Sequence, residues 1–345
     1  MALLPTRSIG DTGLAVTELG FGAAAIGNLY RAVPDDEAAA TVAAAIECGF
    51  GYFDTAPHYG FGLSERRLGD MLRGRPDLVR STKVGRLLRP DSALIPGDLR
   101  HGFRSPLQFE PVFDYSYDGI LRSHADSLQR LGLAQIDILY VHDIGRLTHG
   151  EADELHFDAL TAGGGLRAMA ELRQSGAVRA IGIGVNEIEA CGRVLDHMAL
   201  DVILLAGRYT LLEQEALTSL LPRCEAAGTA LVIGGPYNSG ILATGVSSGV
   251  PTYYNYASPP ADIIARVAQI EKVCADHDVP LPAAALQFVL AHPAVASVIP
   301  GLGSADQVRQ AVALYRAPIP SDFWIALRRQ GLIPDDAPTP GAPDR

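Results

Sequence analysis

Four times along this chain a helical stretch runs into a glycine, and an apolar, strand-like run follows within a few residues. The junctions are IECGFGYFDT at Gly49, LQRLGLAQIDILYVHD at Gly132, LRQSGAVRAIGIGV at Gly176 and CEAAGTALVIGG at Gly228. Glycine just past a helix adopts the left-handed conformation that ends it, and a short loop then feeds a buried parallel strand. Extended to the other apolar runs, the pattern predicts strands near 19–22, 51–54, 80–84, 136–142, 178–183, 201–206, 229–234 and 296–299, with helices between them. Eight such units with no linker predict one (β/α)8 TIM barrel in preference to an open doubly wound sheet. Residues 7–16, RSIGDTGLAV, predict an N-terminal β-hairpin turning at Asp11, Thr12 and Gly13. The domain is expected to span 1–333, with Pro-rich, polar 334–345 as a flexible C-terminal tail.

Three connections are unusually long; GRLTHGEADELH after strand 4 is the shorter, charged one and reads as solvated surface, and the other two are long enough to carry function. The loop after strand 3, LLRPDSALIPGDLRHGFRSPLQFEPVFDYSYDG, holds Phe103, Phe109, Phe113, Tyr115 and Tyr117. The loop after strand 7, GGPYNSGILATGVSSGVPTYYNYASPP, is Gly/Ser-rich and adds Tyr253, Tyr254 and Tyr256. Loops of this length in a compact domain are commonly lids or binding loops. The net charge of −11 and the lack of a basic stripe argue against a nucleic-acid partner. No apolar run reaches a membrane span and MALLPTRS has no secretory pattern, so a soluble, cytoplasmic protein is expected. Cys48, Cys191, Cys224 and Cys274 are far apart without a CxxC, which predicts reduced structural thiols and no metal.

Polar residues gather at the ends of apolar strands, where a barrel opens its active-site mouth. Strand 2, in FGYFDTAPHYG, ends at Asp54, with Tyr59 five residues on; strand 3 ends at Lys83, strand 4 at His142 and Asp143, and strand 5 at Asn186. Alone, Asp54 before a turn has an ordinary reading as a backbone cap. A lysine and a histidine that close buried strands are costly unless paired, so the set reads as one site. The dinucleotide fingerprint GxGxxG fails in GFGAAAIG, GIGVNE and GLGSAD, so any bound nucleotide is not held by a Rossmann fold.

FDTAPHYG, STKVG and DILYVHD together resemble the aldo-keto reductase superfamily, as do GFGAAAIGNLY, SERRLGDML, GVNE, LLAGRYTLL, GGPYNSGILATG and VIPGLGSADQV in the same order. By these signatures the chain resembles the branch of aldose 1-dehydrogenases acting on fucose-like sugars and the related pyridoxal 4-dehydrogenases. The resemblance implies a catalytic tetrad of Asp54, Tyr59, Lys83 and His142. Tyr59 would be the acid/base, with Lys83 favouring its phenolate and Asp54 orienting the lysine. It also implies cofactor contacts from Gly22, Asp54, Asn186, Tyr209 stacking on the nicotinamide, the loop Gly235, Pro236, Tyr237, Asn238, Ser239, Gly240 and Leu242, and Gly301, Gly303 and Gln307. Ala206 stands where the family's glutamine contacts the carboxamide. NADP-using members place Lys or Arg where this chain has Gly301, Gly303 and Gln307, with Arg309 nearby, so NAD is expected over NADP.

Asn28, Tyr30, Tyr59, His142 and Asp143 are the expected substrate contacts, with Asn255 and the loop aromatics around them. The leading expectation is oxidation of a fucose- or galactose-like pyranose at C1 to its lactone. Pyridoxal 4-dehydrogenase or general aldehyde and ketone reductase activity stays open. So does a cofactor-binding regulatory subunit, which needs a docking surface the sequence does not display.

Overall fold

The computed structural model describes residues 4–341. Its core is a single sheet of eight parallel strands: Phe21–Gly22, Tyr52–Asp54, Val79–Val84, Ile138–His142, Ala180–Val185, Val202–Ala206, Ala230–Gly234 and Val295–Ile299. The last strand returns to the first through parallel bridges Leu19 to Val298 and Gly22 to Gly301, so the sheet nearly closes into a barrel. All eight fall where the Gly-terminated helix pattern places them. Gly132 shows the device directly: it caps Tyr117–Leu131 at φ +61° and donates its N–H to Leu128 O.

The predicted hairpin forms as Thr6–Ile9 paired antiparallel with Leu14–Thr17. Arg179, just ahead of the fifth barrel strand, donates to Gly13 O at 3.1 Å, which fixes the hairpin at the N-terminal end of the barrel. There Ile9, Leu14 and Val16 join Tyr52, Ile138, Tyr140, Val202 and Val232 in a buried apolar floor. The opposite rim is left open for the site.

Two segments differ from expectation. The stretch after the third barrel strand is not a bare loop, because Arg86–Pro90 pairs with Phe109–Phe113 and Leu99–Arg100 with Phe103–Arg104. Phe61, Leu94 and Phe103 give these hairpins a small core of their own, which offsets the entropy of ordering them. The expected tail is likewise held as far as it is described. Arg328 donates to Ala337 O and Thr339 Oγ1, each at 2.8 Å, and both residues are buried; 342–345 lie outside the described residues. The four cysteines are free. Among the described residues, no helix is long and apolar enough to cross a membrane.

Candidate active site

Side chains alternate along a strand, so residues two apart share a face. In the second, third and fourth strands the inward pairs are Tyr52 and Asp54, Ser81 and Lys83, and Tyr140 and His142, all buried. The registers set Asp54 beside Ser81 and Lys83 beside Tyr140. The fifth strand faces them with Gly182 and Gly184. A Cβ at Gly184 would lie 3.3 Å from Lys83 Cε, so the small residue leaves the lysine its channel. The chain holds only two lysines, and Lys83 is the buried one.

Lys83 Nζ donates to Asp54 Oδ2 at 2.6 Å and to Thr55 O at 2.9 Å, and lies 4.8 Å from the centroid of the Tyr59 ring. Burial works to discharge both partners, but each finds its countercharge at hydrogen-bond distance. The pair is therefore charged, with Lys83 held above its ordinary value by Asp54 and Tyr59. Tyr59 is carried on a tight loop in which Gly60, at φ +63°, runs against the first loop; a Cβ there would fall 2.3 Å from Gly27 O. Contrary to the expectation of an acidic phenol, Tyr59 is pushed up to about 12. Burial is the main cause, Lys83 pulls against it, and Asp54 and Asp143 add to it. Without other positive charge in the cavity the phenol is protonated.

His142 stands edge-on to Tyr59, with ring centroids 6.0 Å apart. Burial, then the charges of Arg86 and Lys83, hold it well below its usual value, so the imidazole is neutral. Its Nε2 lies 3.4 Å from Asp143 Oδ2. Its Nδ1 is buried without a partner. Asp143 is in turn paired with Arg86, whose guanidinium lies 4.7 Å over the Phe113 ring. His58, His101 and Phe103 complete an aromatic wall beside Tyr59.

From Asp54 and Tyr59 a cavity of about 740 Å³ runs past Gly22, Tyr30, Asn186, Gly235 to Gly240, then Gly301, Gly303, Gln307 and Leu314. Each expected cofactor residue lines it except two. Leu242 faces the core from the first turn of Ile241–Thr244, while Ala243 and Thr244 line the cavity. Tyr209 is the second correction. The chain turns at Gly207, φ +67°, and buries the Tyr209 ring 5.6 Å from Phe288 and 5.8 Å from His292, away from the cavity. Where that stacking was expected, paired Ala206 and Gly234 leave a bare floor. Asn28 is a third correction, among the substrate residues: its Oδ1 accepts from Val33 N and Arg67 Nη1, so it braces the loop and is buried.

Sequence reasoning missed Arg86, His58, Tyr52, Ser81 and Tyr140. The inward period of two from Asp54, Lys83 and His142 was the signal that reaches Tyr52, Ser81 and Tyr140. Among the described residues, no group of three or more His, Cys, Asp or Glu is placed to hold a metal.

A barrel with this rim defines a class, and the comparisons agree with it. The aldo/keto reductase family model matches residues 18–329, and the chain belongs to that family. It is 48% identical to the pyridoxal 4-dehydrogenase of Microbacterium luteolum (95% of this chain, 97% of the other). It is 42% identical to the D-threo-aldose 1-dehydrogenase of a Pseudomonas species (93% and 96%). The fold matches a holo aldo-keto reductase of Bacillus halodurans with a TM-score of 0.73, at 27% identity over 95% of this chain and 96% of that one. The protein is an oxidoreductase of a family that uses nicotinamide cofactors.

The residues present fit such a cofactor. Gly235, Asn238, Ser239 and Gly240 all have positive φ and line the cavity, and Asn238 N and Gly240 N donate to Gly235 O and Tyr237 O, so the loop folds tightly and lets its backbone come close to a bound pyrophosphate. A Cβ at Gly301 or Gly240 would meet nothing within 4 Å, so the cradle is open on the cavity side.

Proposed function

We propose that the protein is an NAD-dependent dehydrogenase that oxidises a cyclic hemiacetal to its lactone, with Tyr59 as general acid/base. The substrate placed first is a fucose- or galactose-like pyranose oxidised at C1. The observation that carries the reading is the Asp54–Lys83–Tyr59 cluster, with neutral His142 edge-on to Tyr59.

The cofactor, when bound, accepts the hydride from the carbon. Asn186 would hold its carboxamide, Gly22, Asp54 and Gly235 to Gly240 its ribose and pyrophosphate, and Gly301, Gly303 and Gln307 its adenosine end. Tyr59 as phenolate takes the hydroxyl proton as the carbonyl forms, and returns it in the reverse direction. Lys83 stabilises the phenolate, and Asp54 keeps Lys83 charged and aimed. Neutral His142 donates a ring N–H to the substrate oxygen. Neutrality suits this, because an N–H polarises the oxygen without surrendering its proton. A phenol near 12 favours oxidation in alkaline solution and reduction near neutrality.

NAD preference is supported by the adenosine end. Gln307 spends its Oε1 on Gly303 N at 2.8 Å, and Arg309 is turned to Asp306. Arg31 reaches the cavity there but is already paired with Glu37 at 2.6 Å and donates to Gly303 O at 2.9 Å. Free cationic charge for a 2′-phosphate is thus lacking among these groups.

Pyridoxal is the second reading, favoured by the relative at 48% identity. It closes to a hemiacetal through its own hydroxymethyl group, so the same residues serve both substrates. Tyr30, stacked 6.4 Å from Tyr253, and the wall of His58 and Phe103 suit either a sugar's apolar face or a pyridine ring. A screen following NADH at 340 nm decides between them. The sugar reading predicts turnover of L-fucose, L- or D-galactose or D-arabinose; inert sugars with active pyridoxal overturn it. A tenfold higher kcat/KM with NADP would overturn the cofactor assignment.

A further inference from the structure

Beneath the reacting groups the barrel holds a second polar series that the tetrad does not include. Ser81 Oγ donates to Asp54 Oδ1 at 2.6 Å, on the carboxylate oxygen that Lys83 leaves free. Ser81 Oγ is also 3.0 Å from Tyr52 Oη, and Tyr52 Oη is 3.1 Å from Tyr140 Oη. All three side chains are buried, with Tyr52 and Tyr140 at 0% exposure.

The direction of these bonds is fixed by the anion at their head. A hydroxyl has one proton, and Ser81 gives its proton to the carboxylate, which can only accept. Ser81 must then accept from Tyr52, and Tyr52 from Tyr140. Three O–H dipoles therefore point the same way, towards Asp54. Aligned hydrogen bonds polarise one another in a dry interior, and each strengthens the next.

The series also ends blind. Tyr140 lies on the floor built with Ile9, Val16, Ile138 and Val202, and the N-terminal hairpin covers that end of the barrel. The adjacent strand holds a glycine beside it: a Cβ at Gly182 would sit 1.8 Å from Val202 O and 3.3 Å from Tyr140 Cδ1. A row of hydroxyls with no outlet cannot carry a proton to water. Its effect is electrostatic.

We propose that Tyr140, Tyr52 and Ser81 are positioning residues: an aligned hydroxyl strut that keeps Asp54 an anion and, through Lys83, holds Tyr59 ready to exchange its proton. Without the strut, a bare Asp54 takes the proton back from Lys83, and the neutral pair no longer favours the phenolate. This rests on the reading of Tyr59 as acid/base given above.

The test is the pH profile of kcat/KM for oxidation at saturating NAD, whose positively charged ring lowers the phenol that burial raises, in Ser81→Ala, Tyr52→Phe and Tyr140→Phe, with Tyr59→Phe alongside. The two Tyr→Phe changes keep the rings, and thermal melting confirms that the fold persists. The strut predicts an alkaline displacement of the rising limb, about one pH unit for Ser81→Ala, or tenfold in kcat/KM on that limb. The displacement should shrink from Ser81 to Tyr52 to Tyr140, the high-pH plateau should be kept, and Ser81→Thr should restore the profile. Profiles that overlay wild type in folded Tyr52→Phe and Ser81→Ala, with Tyr59→Phe inactive, overturn the strut alone. A uniform loss at all pH values without displacement also overturns it, since that marks packing. Full turnover in Tyr59→Phe would instead overturn the acid/base reading.

Discussion

Lys83→Met removes the cation on which the proposed chemistry turns, and its cost is readable from the geometry. Two unit charges 4.8 Å apart, the separation of Nζ from the Tyr59 ring centre, interact by about 3.5 kcal/mol at an effective dielectric near 20. That is roughly 300-fold in the fraction of phenolate, on a phenol that burial already pushes up to about 12. The change also strands Asp54, because breaking a buried pair from one side destabilises by about 3–5 kcal/mol. Two measurements separate the effects: kcat/KM for oxidation between pH 7 and 10, and the melting temperature. The single variant should lose roughly 300-fold in kcat/KM at pH 8 and melt early. The double variant Lys83→Met with Asp54→Asn should recover most of the melting temperature and none of the activity. A single variant within threefold of wild type at pH 8 would refute the reasoning, since no phenol in this position would then depend on the ammonium.

Further outcomes follow from the same coordinates. Gly184→Val adds two methyl groups beyond a Cβ already 3.3 Å from Lys83 Cε, so it should cost at least tenfold in kcat while dinucleotide affinity stays unchanged by fluorescence titration. Glu37→Gln frees Arg31 at the cavity end, and the ratio of Kd for NADP to that for NAD should fall several-fold. Asp143→Asn weakens the partner of Arg86 and of His142 Nε2; KM for the hemiacetal should rise more than kcat falls. Burial holds His58, His142 and His292 below their usual values, so the unfolded chain binds more protons once pH falls below about 6.5. Their contribution to stability is complete above that value and is lost below it, and melting scans from pH 7.5 to 5 should show a decline.

The eight strands were legible because helix-ending glycines and buried apolar runs are local signals, and TIM topology follows from their count. Asp54, Lys83 and His142 were legible because a charged or titratable residue at the end of a fully apolar strand contradicts its surroundings. The errors have a common cause. Tyr209, Asn28 and Leu242 sit one or two residues from true cavity positions, and a turn at Gly207, a loop brace from Arg67 and the facing of a short helix decide their direction. None of these is written in local pattern. Arg86 was hidden for another reason: its role depends on Asp143 and Phe113, both distant in sequence. The small hairpins after the third strand were obscured by proline and glycine, and they form because Phe61 and Phe103 meet across the loop.

Tyr59→Phe tests the account most directly, because it deletes one oxygen and leaves the ring in place. Steady-state oxidation and dinucleotide binding should be measured on the same preparation. The account predicts a fall in kcat of about a hundredfold to ten-thousandfold with dinucleotide Kd unchanged. Turnover within tenfold of wild type would contradict it and return the role of proton carrier to some other group at the rim.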